Sequence, residues 1–180
     1  MNINLGDQSV WQSEGLEYLR YEYDIAPGEL VLDIGSYRKE FGEVFEAKGC
    51  KVEYFDAMDN RAAWLFDGEL KMGGQYYYTS MFDEGELGKV HTYKCVDIAT
   101  YLQSQVALCK INIEGGEYEL LNYIIRKGLH LNIKHLQVQF HLVEGMPSEG
   151  LYMDIAKKLS VSHNLKWRFA YVWESWERVY

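Results

Sequence analysis

The sequence predicts an α/β fold: a doubly wound, mostly parallel sheet closed by an antiparallel C-terminal hairpin. Three observations predict it. Short apolar runs alternate with stretches of helical period. The runs end on polar residues or glycines, at the edge where open α/β sheets bind ligands. The chain has 180 residues, 48% of them hydrophobic, which suits one core and not two. Residues 1–180 therefore read as a single domain, with 1–28 an N-terminal helix leading into the sheet.

The elements follow in order. Gln8 to Tyr23 reads as an amphipathic helix with Val10, Trp11, Leu16, Leu19 and Tyr23 on one side, and Pro27-Gly28 breaks it. Glu29 to Ile34, ELVLDI, has the form of a buried parallel strand. Lys39 to Lys48 is a helix with Phe41, Val44 and Phe45 inward, closed by Gly49. Lys51 to Phe55 is the next strand and completes a β-α-β unit, for which a right-handed crossover is expected. Between 57 and 90 the pattern weakens. Asn60 to Phe66 reads as a short helix, and Glu69 to Met81 as a strand or hairpin arm around Gly73-Gly74.

Order returns with a strand over Val90 to Cys95 and a short helix over Asp97 to Gln103. Ala107 to Ile113, ALCKINI, is a buried strand. Gly116 to Arg126 is a helix with Leu120, Leu121, Ile124 and Ile125 inward. Ile133 to Leu142 is a strand, and Ser148 to Leu159 a helix capped by Ser148. Lys166 to Trp173 and Trp176 to Tyr180 form the closing hairpin. Its tryptophans, Trp167, Trp173 and Trp176, either pack on the sheet or form an exposed homodimer patch.

Composition narrows the function classes. The net charge of −9 disfavours general nucleic-acid binding. Cys50, Cys95 and Cys109 are an odd number without CxxC spacing, so neither a zinc site nor a disulfide framework is expected. Free thiols, no signal-like start and no long apolar run point to a cytoplasmic protein with no membrane span. The five histidines show no metal spacing, and no metal is expected.

The residues that carry chemistry lie at the strand ends. Asp33 and Gly35 sit where the first strand turns into its helix, and a glycine there lets backbone approach a ligand. Asp56 follows Gly35 by 21 residues, at the end of the second strand, where a carboxylate can accept both ribose hydroxyls of a nucleoside. GxGxxG and GxxxxGK[ST] are both absent, so a nucleoside without phosphates fits better than NAD, FAD or ATP. Lys110 interrupts an apolar run on the same strand face as Asn112 and Glu114. Two readings stand: a polar network at the ligand edge with Glu114 and Glu117, or a structural pair with a nearby carboxylate. His141 ends a later strand, where a histidine can serve as a general base or hold structure.

The succession VLDIGSYRKEFG, KVEYFDA, CVDIATYL, KINIEGGEYELL and LQVQFH resembles the FkbM-type methyltransferases, from about Leu30 to about His141. The KINIEGGEYELL segment is the most specific part. The resemblance implies the class I (Rossmann-like) methyltransferase fold, S-adenosylmethionine as cofactor, and O-methylation of a sugar or small-molecule hydroxyl. It implies Asp33, Gly35, Ser36, Asp56, Asp97 and Asn112 on the cofactor side. Lys110, Glu114, Glu117 and His141 would lie near the reaction centre. Four departures stand against the family pattern. Tyr37 and Lys39 replace small residues of the first motif, Asn112 replaces an aspartate, and Gln139 replaces a glutamate. An alternative follows from them: a catalytically degenerate methyltransferase-like binding or assembly module.

Overall fold

The structure is a computed structural model that describes residues 8–56, 62–64, 75–78 and 91–179. Its main sheet contains β1 (Leu30–Ile34), β2 (Lys51–Phe55), β6 (Val106–Ile111), β7 (Ile133–Val138), β8 (His163–Phe169) and β9 (Trp173–Arg178). Their order is β2-β1-β6-β7-β9-β8, consistent with the class I methyltransferase fold. The first four strands run parallel, and β9 is antiparallel to both β7 and β8. A register irregularity between Leu165 and Trp167 interrupts the edge strand β8. A separate three-stranded sheet joins β3 (Ala62–Trp64), β5 (His91–Asp97) and β4 (Gln75–Tyr78) in the order β3-β5-β4.

Helices cover both faces because the strands are apolar on both. On one face Val31, Ala107 and Leu108 meet Phe41 and Phe45 of α2 (Glu40–Ala47), together with Ile25. On the other, Leu32, Ile34, Cys109, Ile111 and Leu136 meet Leu120, Leu121 and Ile124 of α3 (Glu117–Arg126). Ile155 and Leu159 of α4 (Ser148–Leu159) complete that layer. No helix among the described residues is long and apolar enough to cross a membrane.

Several sequence expectations need correction. The helix expected over 8–23 divides into α1 (Gln8–Ser13) and a 3-10 helix, Leu16–Tyr21, because Gly15 between them adopts a left-handed φ of 63°. In the stretch expected as a helix over 60–66, Ala62–Trp64 is a strand, since Ala62, Ala63 and Trp64 pair with Cys95, Val96 and Asp97. Gln75–Tyr78 is a strand as expected, while Gly73-Gly74 lies outside the described residues. The helix expected over 97–103 reduces to a 3-10 turn, Ile98–Thr100. Ser148 does not cap α4: Pro147 holds that position, and Ser148 Oγ accepts from Val143 N at 3.1 Å. The closing hairpin turns inward, with Trp173 and Trp176 buried and Trp11 of α1 packed edge-on to Phe169.

Candidate functional site

Four chain segments meet at the carboxyl edge of the parallel strands: Gly35–Lys39 after β1, Asp56 after β2, Asn112–Glu114 after β6, and Gln139–His141 after β7. The first turn is built tightly. Gly35, at φ 80°, donates its N–H to Phe55 O at 2.7 Å, and Ser36 donates to the same oxygen at 3.1 Å. A Cβ on Gly35 would lie 1.7 Å from Asn112 O, so the ends of β1 and β6 can approach only across a glycine. Tyr37 (φ 32°) and Lys39 (φ 63°) also adopt left-handed backbone, which is costly for side-chain-bearing residues. Tyr37 N donates to Asp56 Oδ2 at 2.7 Å, which fixes the turn against the end of β2. The Lys39 ammonium lies 5.5 Å from the centre of the Tyr54 ring.

Asp33 and Lys110 form the floor of this turn. They are paired neighbours on β1 and β6, and both are buried. Lys110 Nζ lies 2.9 Å from Asp33 Oδ1 and donates to Gly35 O at 2.6 Å. Asp33 Oδ2 accepts from Gly42 N at 3.2 Å, and so serves the first turn of α2, where Lys39 supplies no side-chain cap. Burial lowers the Lys110 pKa, against the pull of Asp33. Lys110 is thus the structural pair that its position on the strand left open. Its contacts are with Asp33 and the Gly35 turn and not with Glu114, Glu117 and His141.

Ser36 Oγ and Asn112 Oδ1 are buried and have no hydrogen-bond partner among the described residues. A buried polar group without a partner costs about 1–3 kcal/mol, so both suit contact with a polar ligand.

The other half of the site joins Glu114, Glu117 and His141. Glu117 opens α3 and its side chain is fully buried. Its Oε1 accepts from His141 N at 2.7 Å and lies 3.0 Å from His141 Nδ1, while Oε2 accepts from Gly115 N at 2.9 Å. His141 Nε2 lies 3.4 Å from Glu114 Oε2. Glu114 has a left-handed φ of 52° and a half-exposed side chain. Burial pulls the His141 pKa down, but the hydrogen bond and charge of Glu117, joined by Glu114, outweigh it and hold the pKa above the ordinary histidine value.

Asp97 is held by local contacts. Its Oδ1 accepts from Ala99 N at 2.9 Å and from the Tyr123 hydroxyl at 3.3 Å, so it caps a 3-10 turn. Sequence reasoning also missed some residues. The Tyr118 hydroxyl donates to His141 O at 2.6 Å and supports the histidine from behind. Gln137, opposite Lys110 in the sheet, donates through Nε2 to Arg20 O at 2.9 Å and to the Tyr23 hydroxyl at 3.0 Å. The signal for Gln137 was weak, since β7 also carries Lys134 and His135. Tyr118 carried none, because a tyrosine at that helical position reads as core. Compared with known proteins, the chain matches no family model and no curated protein.

Proposed function

We propose that this chain is an S-adenosylmethionine-dependent methyltransferase that acts on a hydroxyl group of a sugar or related small molecule. The observation that carries the reading is the placement of Asp56 beside the Gly35 turn, at the carboxyl edge of a sheet with class I methyltransferase strand order. The residues present fit such a donor. Asp56 suits the ribose hydroxyls, and the unpartnered Ser36 Oγ and Asn112 Oδ1 suit its polar amino-acid end. The donor, when bound, supplies a methyl group on a cationic sulfur, open to in-line displacement. The chain's own part is alignment of the acceptor and removal of its proton. We assign those tasks to Glu114, Glu117 and His141, which cluster at the same carboxyl edge.

A second reading, a methyltransferase-like binding module without catalysis, has its own support. Both carboxylate oxygens of Asp33 are engaged within the protein, and Tyr37 N already occupies Asp56 Oδ2. Calorimetric titration with S-adenosylhomocysteine separates the readings. The methyltransferase reading expects micromolar binding, and Asp56→Ala should weaken it by about 1.5–3 kcal/mol, the range for hydrogen bonds to a charged group. Absence of binding at millimolar ligand favours the module, and full affinity in Asp56→Ala removes Asp56 from the site.

A further inference from the structure

Resting on that reading, we infer that the acceptor carries a negatively charged group, a carboxylate or a phosphate, and that Arg20 binds it. Arg20 lies in the 3-10 helix Leu16–Tyr21, whose Tyr21 packs on the same sheet face as α2. Its guanidinium is fixed from two sides. Nε donates to Gln137 Oε1 of β7 at 3.3 Å, and Gln137 Nε2 donates back to Arg20 O at 2.9 Å. The guanidinium carbon lies 4.0 Å from the centre of the Trp173 ring, with the Phe41 ring at 5.5 Å and the Tyr21 ring at 5.7 Å. These contacts set the plane of the group but engage one nitrogen only. Nη1 and Nη2 have no hydrogen-bond partner among the described residues.

The charge of Arg20 is also unmatched. Asp33 and Glu40 act on it from a distance, and Asp33 is already held by Lys110. No carboxylate among the described residues pairs with the guanidinium directly. Arg168, which also lies over an aromatic ring, has Glu174 at 3.6 Å. Burial disfavours the Arg20 charge and lowers its pKa. A partly buried cation in this state gains from an anion beside it, and a guanidinium takes a carboxylate or a phosphate through paired N–H bonds.

Its place in the sheet sets Arg20 apart from the donor. β9 runs antiparallel to β7 and Val138 pairs with Glu174, so Trp173 lies at the carboxyl edge of the parallel strands. The donor reading puts the ribose at Asp56, after β2, and the amino-acid end at Ser36 and Asn112, after β1 and β6. Gln137 and Trp173 belong to β7 and β9, the next two strands in the order. β7 stands two strands, roughly 10 Å, from β1. The ligand that meets Arg20 is therefore the donor's neighbour. A sugar acid or a sugar phosphate supplies both the hydroxyl to be methylated and the charge for Arg20.

Nitrogen-15 NMR of the full chain, saturated with S-adenosylhomocysteine, tests this with simple probes. The Arg20 Nε–H and Trp173 indole N–H signals are followed at constant ionic strength as glucose, glucuronate or glucose 6-phosphate is added. At least one of the two anions should shift both signals and bind about tenfold or more tightly than glucose. Arg20→Gln should remove that preference and Arg20→Lys should keep part of it, with S-adenosylhomocysteine affinity within about twofold of native in both. If the variants fail to fold, the comparison of the anions with glucose on the native chain decides alone. Equal binding of glucose and both anions, signals that do not move, or a preference that survives Arg20→Gln overturns the assignment and leaves the donor reading standing. A loss of S-adenosylhomocysteine affinity of about tenfold in Arg20→Gln puts the donor's own carboxylate on Arg20 and also overturns it. Failure of S-adenosylhomocysteine to bind the native chain overturns the donor reading and, with it, this role for Arg20.

Discussion

Glu174 lies on the buried face of β9 beneath α4, and its oxygens accept from Trp176 Nε1 at 2.7 Å and from the Tyr152 hydroxyl at 3.1 Å. Burial outweighs these bonds and raises its pKa from 4.5 to about 7. A carboxyl whose folded pKa is raised contributes stability that is fully present below about 4.5 and is lost as pH rises through 7. Over that window the loss is on the order of 3 kcal/mol. Glu174→Gln keeps the shape and removes the charge, so the urea midpoint at pH 8 relative to that at pH 5 should lie higher in the variant than in the native chain. His130, His135 and His163, whose pKa values burial lowers, contribute the opposite slope in both proteins and cancel in the comparison. An identical pH dependence in the two would show that Glu174 does not titrate as described. Lys110 offers a second test at this scale. Lys110→Met leaves the Asp33 carboxylate buried without its cation, and urea unfolding should show a loss of about 3–5 kcal/mol. The double variant Asp33→Asn/Lys110→Met should lose clearly less than the two single variants added together.

The turn between β1 and α2 is the element on which the functional reading depends most. Lys39 has a left-handed backbone that glycine adopts without a Cβ penalty, so Lys39→Gly should stabilise the chain by about 0.5–1 kcal/mol in thermal or urea unfolding. Its ammonium rests near the Tyr54 ring, so the same variant should leave S-adenosylhomocysteine affinity within about twofold. A marked gain in affinity would show instead that the Lys39 side chain crowds the donor. Elsewhere, legibility followed element length. The apolar runs 30–34 and 106–111 announced their strands, because burial on both faces leaves little room for polar residues. Ala62–Trp64 did not, because three residues carry no period and only pairing with Cys95–Asp97 makes them a strand. Gly15 was a visible break, but its cost within a helix is small, and the apolar side of residues 8–23 continues across it.

At the scale of the whole molecule, the candidate site is a product of strand order. The sequence placed Asp33, Asp56, Glu114 and His141 at strand ends but could not say which ends are neighbours. With β1 between β2 and β6, the Gly35 turn meets Asp56 on one side and Asn112 on the other. With β7 beside β6, His141 meets Glu117 and Glu114. Lys110 was legible as an unusual residue but not in its role, because its partner Asp33 is 77 residues away and is fixed only by register. Asp97 was assigned from the resemblance, and local capping explains its contacts. The central claim is that a nucleoside donor occupies this edge. Amide hydrogen exchange with and without saturating S-adenosylhomocysteine tests it most directly. Protection should increase at 35–37, at Asp56 and at 112–115, with little change in the β8–β9 hairpin. Binding that protects the hairpin or the outer surfaces of α3 and α4, and leaves 35–37 and Asp56 unaltered, would contradict it.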